Sequence, residues 1–132
     1  MLSEMGARIR LCKGAYSEPP HISYRRKRDT DRNYVRLMEY LLVHGHQPAI
    51  ATHDTDMIAK AWRIASALGM EKSQLEVAML YGIRVDQQLR LAHEGFNVRD
   101  LITYGDAWYA WYLRRLAERP ANVWFVARQL LP

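Results

Sequence analysis

The sequence predicts an α/β fold built on a parallel sheet. Short aliphatic runs alternate four times with longer stretches of helical periodicity, a glycine follows each of the first three helical stretches, and polar residues gather at the far end of every aliphatic run. Strand alternating with helix in this way implies parallel strands joined by right-handed crossovers.

The strands are expected over Arg8 to Lys13, Pro48 to Thr52, Leu75 to Leu80 and Asn97 to Thr103. Most are short, and aliphatic or β-branched residues recur in them, as a buried parallel strand requires. The first helix is expected over Asp31 to His44, where Tyr34, Val35, Leu37, Met38, Leu41 and Leu42 recur at helical spacing. Met57 to Leu68 repeats the pattern with Ile58, Ala61, Ile64, Ala65 and Leu68. Val85 to His93 forms a third helix carrying Leu89 and Leu91, and Tyr109 to Ala117 is the core of a fourth, stopped by Pro120. Asn122 to Leu131 reads as a short closing helix. Gly45, Gly69 and Gly95 stand where a left-handed residue ends a helix. Ser17 to Arg28, with Pro19 and Pro20, is the one irregular region, and it is long enough to be functional. No linker or low-complexity segment divides the chain, so residues 1–132 are expected to form one domain.

About half of the 132 residues are hydrophobic and 25% are charged, which is the composition of an ordinary globular domain and not of a disordered one. The formal charge of +5 invites a nucleic-acid reading. The basic residues concentrate in Arg25 to Arg28 and Arg114 to Arg119, the second group interleaved with Glu118, and no zinc-finger or RNA-binding motif accompanies them. Nucleic acid is therefore not the expected partner; a small anionic substrate or a cofactor pyrophosphate would use the same charges. A single cysteine, Cys12, rules out an internal disulfide and suits a reducing, cytoplasmic compartment. Met1 to Arg10 lacks a signal-peptide apolar run, and no stretch reaches the length of a membrane span, which leaves room for peripheral contact with a membrane.

The chemistry collects at the strand ends. The first run closes in Lys13, Gly14, Ala15 and Tyr16, the second in Thr52, His53 and Asp54, the third in Tyr81 and Gly82, and the fourth in Thr103, Tyr104 and Gly105. In parallel α/β folds this edge of the sheet hosts the active site. Each feature also has a purely structural explanation. Gly14, Gly82 and Gly105 serve tight turns. His53 and Asp54 serve as helix caps, Asp54 or Thr55 being a suitable N-cap. Tyr104, Trp108, Tyr109, Trp111 and Tyr112 read as core. Arg25 to Arg28 reads as a solvated charge run. His53, Asp54 and Asp56 do not form a metal set, and no Ser-His-Asp arrangement is present. Arg114 and Arg115 point about 100° apart on a helix, so one acid cannot serve both. Arg114 can pair with Glu118, and Arg115 is left either for solvent or for a carboxylate, which its planar fork would hold in two parallel hydrogen bonds.

These residues, in order and along nearly the whole chain, resemble the proline dehydrogenase family. Arg10-Leu11-Cys12-Lys13-Gly14-Ala15-Tyr16 is similar to that family's Arg-Leu-Val-Lys-Gly-Ala-Tyr strand, and Asp31 with Tyr34 to the start of its next helix. Ala49-Ile50-Ala51-Thr52-His53-Asp54, Met79-Leu80-Tyr81-Gly82-Ile83-Arg84 and Arg114-Arg115-Leu116-Ala117-Glu118-Arg119-Pro120 resemble a further strand, a strand end and a helix of the same family. Five short motifs in one order are specific where a single one would not be.

The resemblance implies the C-terminal half of a (βα)8 TIM-type barrel, about four βα units holding strands five to eight. It implies FAD as cofactor, oxidation of L-proline to 1-pyrroline-5-carboxylate, and a quinone or similar electron acceptor. By position it places Arg10 near the flavin ring, gives Cys12 and Gly14 backbone contacts and Lys13 a charge role toward the cofactor, counts Ala15 among the cofactor-binding residues, and puts Thr52, His53 and Glu118 against FAD. Arg114 and Arg115 would clamp the substrate carboxylate, and Tyr16 and Leu80 would wall the pocket. Two family pocket tyrosines fall on Leu101 and Trp111, Cys12 replaces the usual Val, and Leu75-Glu76-Val77-Ala78 replaces Phe-Glu-Phe-Gln. Leu101 and Trp111 raise an alternative substrate, another cyclic or N-substituted amino acid, while the backbone contact expected of Cys12 tolerates its change. The family's catalytic Lys and a pocket Asp belong to the N-terminal half. The isolated chain is therefore expected to be inactive alone, and to need that half or a second chain as partner; a non-catalytic interaction fragment is the reading from another class.

Overall fold

The computed structural model describes residues 5–14, 18–110 and 113. They fall into two compact units: residues 5–13 with 19–101, and a second unit of residues 14 and 18 with those from 102 onward.

Leu11, Ile50, Val77 and Val98 stand abreast on four parallel strands. These strands are β1 (Arg10–Cys12), β2 (Ala49–Ala51), β3 (Glu76–Leu80) and β4 (Asn97–Leu101), hydrogen-bonded in the order β1-β2-β3-β4. Between them run α1 (Lys27–His44), α2 (Thr55–Ala67) and α3 (Val85–His93), with a short 3₁₀ turn at Lys72–Gln74. A parallel sheet whose neighbours in sequence are neighbours in space, with a helix in every connection, is the arrangement of consecutive βα units of a TIM-type barrel. None of the described helices is long and apolar enough to cross a membrane.

The core lies between one face of the sheet and the helices. Leu11, Ile50, Val77 and Met79 from the strands pack with Tyr34, Met38, Leu41 and Leu42 of α1, Met57, Ile58, Ala61 and Ala65 of α2, Leu91 of α3 and the following Phe96. Side chains alternate across a strand, so the intervening positions, Arg10, Cys12, Ala49, Ala51, Glu76, Ala78, Leu80, Asn97, Arg99 and Leu101, belong to the opposite face.

Several expectations are corrected in detail. All four strands are shorter than expected at one end or both, and α1 begins at Lys27 rather than Asp31, taking in the end of the basic run. Leu37, Leu68 and Leu89 are exposed, and α3 buries Gln87 and Gln88 beside Leu91. Gln88 goes inside because its amide donates to the carbonyls of Leu80 and Ile83, at 2.9 and 3.0 Å, closing the turn between β3 and α3. Gly69 and Gly95 have the expected left-handed backbone, but Gly45 does not: its φ is −86°. What requires glycine there is space, since a Cβ would stand 2.5 Å from the Leu41 carbonyl oxygen. Gln47 takes the positive φ instead, two residues later. The described members of the aromatic cluster, Tyr104, Trp108 and Tyr109, are exposed rather than core. Residues 108–110 and 113 are helical, in line with the expected fourth helix.

Candidate functional site

Lys13 after β1 and the loops after β2 and β3 lie at the same edge of the sheet, and side chains tie them together beside backbone bonds such as that from the Thr52 N–H to the Ala78 carbonyl at 3.2 Å. Lys13, just after β1, is the centre of one tie. Its ammonium lies 2.8 Å from Asp31 Oδ1 in the second turn of α1 and donates to Asp54 Oδ2 at 3.0 Å, just before α2. Asp31 also pairs with Lys27 one turn earlier. Asp54 serves twice, for its other oxygen accepts the backbone N–H groups of Asp56 and Met57 as the N-cap of α2.

The electrostatics follow. Hydrogen bonds from Lys13 and Lys27 hold the Asp31 carboxyl below its ordinary pKa. At Asp54 burial opposes the charge, but Lys13 and the two capping N–H groups outweigh it and the pKa is again lowered. Tyr34 lies under this cluster, its ring 5.7 Å from the Lys13 nitrogen. Its hydroxyl is 3.2 Å from both the Leu11 and the Ala51 carbonyl oxygens, sharing one proton between acceptors on two neighbouring strands. Burial, reinforced by Cys12 and Asp54, raises its pKa well above that of an ordinary phenol.

His53 is the centre of the second tie. Its Nε2 accepts the backbone N–H of Leu80 at 2.9 Å, and its carbonyl accepts Arg84 Nη1 at 2.7 Å. Arg84 has a left-handed backbone, φ 55°, which costs a non-glycine residue about 1–3 kcal/mol. The bond to the His53 carbonyl and the start of α3 hold it there. The Thr52 hydroxyl accepts the Asp54 N–H at 3.1 Å, shaping the same loop.

The described candidate residues therefore come together in two groups. Lys13 touches the loop that carries Thr52 and His53. Leu80 and Leu101 are paired in register, side by side at the ends of β3 and β4 on the face away from the helices. On that face Arg10 and Cys12 are exposed. In register with Cys12 stand Ala51, Ala78 and Arg99, so beneath the strand tips the β1–β3 part of this row is made of small side chains and β4 adds a guanidinium. Gly14 has φ +79°, a left-handed backbone that suits glycine. Ala15, Tyr16, Trp111, Arg114, Arg115, Glu118 and the closing helix lie outside the described residues.

The sequence reading missed three features. Asp31 and Asp54 were visible as a helix start and a cap, but their shared cation is 18 and 41 residues away and only the fold joins them. Of the two residues that set the turn after β3, Arg84 was visible only as the last residue of the Met79–Arg84 motif, and Gln88 gave no pattern. Glu76 did give one: a carboxylate in a buried strand needs a cation, and the next strand supplies Arg99, which holds it through two hydrogen bonds of 2.7 and 2.9 Å.

The family model for proline dehydrogenase matches residues 3–128 of this chain. The chain belongs to the proline dehydrogenase family. Proline dehydrogenase 2 of Bacillus subtilis subsp. natto is 42% identical over 124 residues, covering 94% of this chain and 41% of that protein. The proline dehydrogenase of Deinococcus radiodurans is 44% identical over 130 residues, covering 98% of this chain and 42% of the relative. Among solved structures, proline utilization A (PutA) from Bdellovibrio bacteriovorus, inactivated by N-propargylglycine, matches with a TM-score of 0.79 at 28% identity. That match covers 87% of this chain and 14% of the PutA chain. This proline dehydrogenase family chain thus spans about two fifths of the length of these curated relatives.

Proposed function

We propose that the chain supplies the C-terminal half of an FAD-dependent proline dehydrogenase barrel, which oxidises L-proline to 1-pyrroline-5-carboxylate and passes the electrons to a quinone or similar acceptor. The observation that carries this reading is the edge of the sheet itself: the family's motifs fall on the ends of β1, β2 and β3, and those ends are cross-linked through Lys13 and His53.

The described residues fit a flavin. Cys12, Ala51 and Ala78 leave the β1–β3 part of the floor free of bulk, with the exposed Arg10 guanidinium beside it on β1 and Arg99 closing the row on β4. Arg10, the Cys12 and Gly14 backbone, Thr52 and His53 are the residues of this set that would hold the cofactor, with Ala15 and Glu118 by resemblance. When bound, FAD would supply the hydride acceptor. The protein's part is placement. Lys13 is already engaged by two carboxylates, so its contribution is to hold the β1 and β2 ends in register with each other. Arg114 and Arg115 would take the substrate carboxylate through planar, bidentate hydrogen bonds. Tyr16, Leu80, Leu101 and Trp111 would wall the pocket. The enzyme would work in the cytoplasm, in peripheral contact with a membrane where the acceptor is a membrane quinone.

A second reading rests on one specific pair. Leu80 and Leu101 stand together where the family has a tyrosine at the second position. A pocket with that aliphatic wall favours a bulkier cyclic or N-substituted amino acid over proline.

The test is a visible spectrum of the chain co-expressed with the N-terminal half of the Deinococcus radiodurans relative. Stoichiometric flavin absorbance that bleaches when L-proline is added without oxygen is the expected result. Bleaching by a bulkier amine and not by proline would select the second reading. A soluble complex without flavin would leave only a non-catalytic fragment.

A further inference from the structure

Helices cover one face of the sheet, and the other carries an excess of positive charge. Read across the register, one row of this bare face holds Arg10, Ala49, Glu76 and Asn97, and the next holds Cys12, Ala51, Ala78 and Arg99. Arg8 is in phase with Arg10. The Glu76 side chain is only 6% exposed, gripped by the Arg99 fork and by Arg8 Nη2 at 2.8 Å. These hydrogen bonds, that from Arg99 first, hold its carboxyl below the ordinary pKa against the effect of burial. The two guanidinium partners are half-exposed, Arg8 at 51% and Arg99 at 56%. One carboxylate thus serves two arginines.

The interior of an eight-stranded barrel is filled with side chains and not with water. A guanidinium enclosed there needs an acceptor, and an unmatched one is costly. Glu76 balances one of its two partners. Among the described residues, β1 pairs with β2 alone and β4 with β3 alone, so both outer strands present an unpaired backbone edge. Curated relatives are more than twice as long as the matched segment.

We propose that this bare face is the docking surface for the remaining four strands of the barrel, and that the docking polypeptide presents a carboxylate, on an inward-facing strand position, to the Arg8–Glu76–Arg99 cluster. The inference rests on the half-barrel reading above and names the chemistry by which the halves recognise each other. A second copy of this chain is the wrong occupant on charge grounds, because face to face it would bring arginines against arginines.

The experiment co-expresses the tagged chain with the untagged N-terminal half of the Deinococcus radiodurans relative and reads recovery and stoichiometry by native mass spectrometry. A one-to-one complex is expected. Arg99→Glu is expected to lower its recovery tenfold or more, and Arg36→Glu, on the exposed surface of α1, to leave it unchanged. Should R99E fail to accumulate, Arg8→Gln, which keeps the Arg99–Glu76 fork, is expected to lower recovery severalfold. No complex, a homodimer in its place, or recovery of R99E or R8Q equal to that of the wild type would overturn the proposal. A charge-dependent complex whose flavin is not reduced by proline would leave the docking surface standing and remove the catalytic reading.

Discussion

The backbone N–H of Leu80 donates to His53 Nε2 across 2.9 Å, so the last residue of β3 is held by a side chain from the loop after β2. For Nε2 to accept, the ring proton must sit on Nδ1. His53→Phe keeps most of the ring volume and removes the acceptor, leaving the Leu80 N–H without its partner. The expected loss is about 1–3 kcal/mol, read as a lower midpoint of urea unfolding. His53→Gln, whose amide oxygen can accept, should restore part of it. An H53F midpoint equal to that of the wild type would show that the contact does not support the fold.

Lys13 gives a prediction with a pH signature. Removing its charge in Lys13→Met leaves Asp31 and Asp54 facing each other without the cation between them. Asp54 is a third exposed, so solvent screens part of the effect and the loss at neutral pH should be about 1–3 kcal/mol. Both carboxyls have lowered pKa values in the folded chain. Depressed carboxyl values give stability that is complete above the unfolded value, about 4, and that is lost as pH falls through the folded values. The gap between wild type and K13M should therefore be widest at neutral pH and narrow below pH of about 4. A gap of constant size across that range would mean that Lys13 acts through packing and not charge.

The order of elements was legible because aliphatic runs and amphipathic runs have different periods and do not overlap in this chain. The residues at the strand ends were legible for the same reason: glycine and polar residues interrupt each run where it leaves the sheet. What the sequence did not show was pairing across distance. Lys13 reads only as a basic residue at a strand end, and the fold alone shows that it stands between Asp31 and Asp54. Leu89 reads as core because it is apolar on a helix, yet Gln88 takes the inward position, since two carbonyls in the β3–α3 turn need a donor more than the core needs a leucine.

Gly45 and Gly69 both end helices but are required for different reasons, and a pair of substitutions separates them. Gly69 has φ +76° and nothing within 4 Å of a built Cβ, so its constraint is backbone conformation. Asparagine tolerates that conformation, and Gly69→Asn should lower stability by less than about 1 kcal/mol. Gly45 has an ordinary φ, but any Cβ would meet the Leu41 carbonyl oxygen at 2.5 Å. Gly45→Asn and Gly45→Ala should therefore each cost about 1–3 kcal/mol, as overpacking does. Thermal unfolding of the three variants decides the matter; equal melting temperatures for G45A and G69N would contradict the steric assignment.

Leu101 carries the prediction that separates the two substrate readings. It pairs in register with Leu80 at the ends of β4 and β3, and each is on the face away from the helices. By resemblance this position answers to a family pocket tyrosine, whose ring would narrow the pocket and whose hydroxyl would add a polar contact. If the barrel acts on a bulkier amino acid than proline, Leu101→Tyr in the complemented enzyme should raise kcat/KM for proline and lower it for an N-substituted analogue. A wall change of this size shifts the ratio by about 10-fold to 200-fold. If the side chain walls the non-reacting part of the substrate, the change should appear mainly in KM. An unchanged ratio, with flavin content and melting temperature also unchanged, would place Leu101 outside the pocket and leave proline as the preferred substrate on the strength of the remaining motifs.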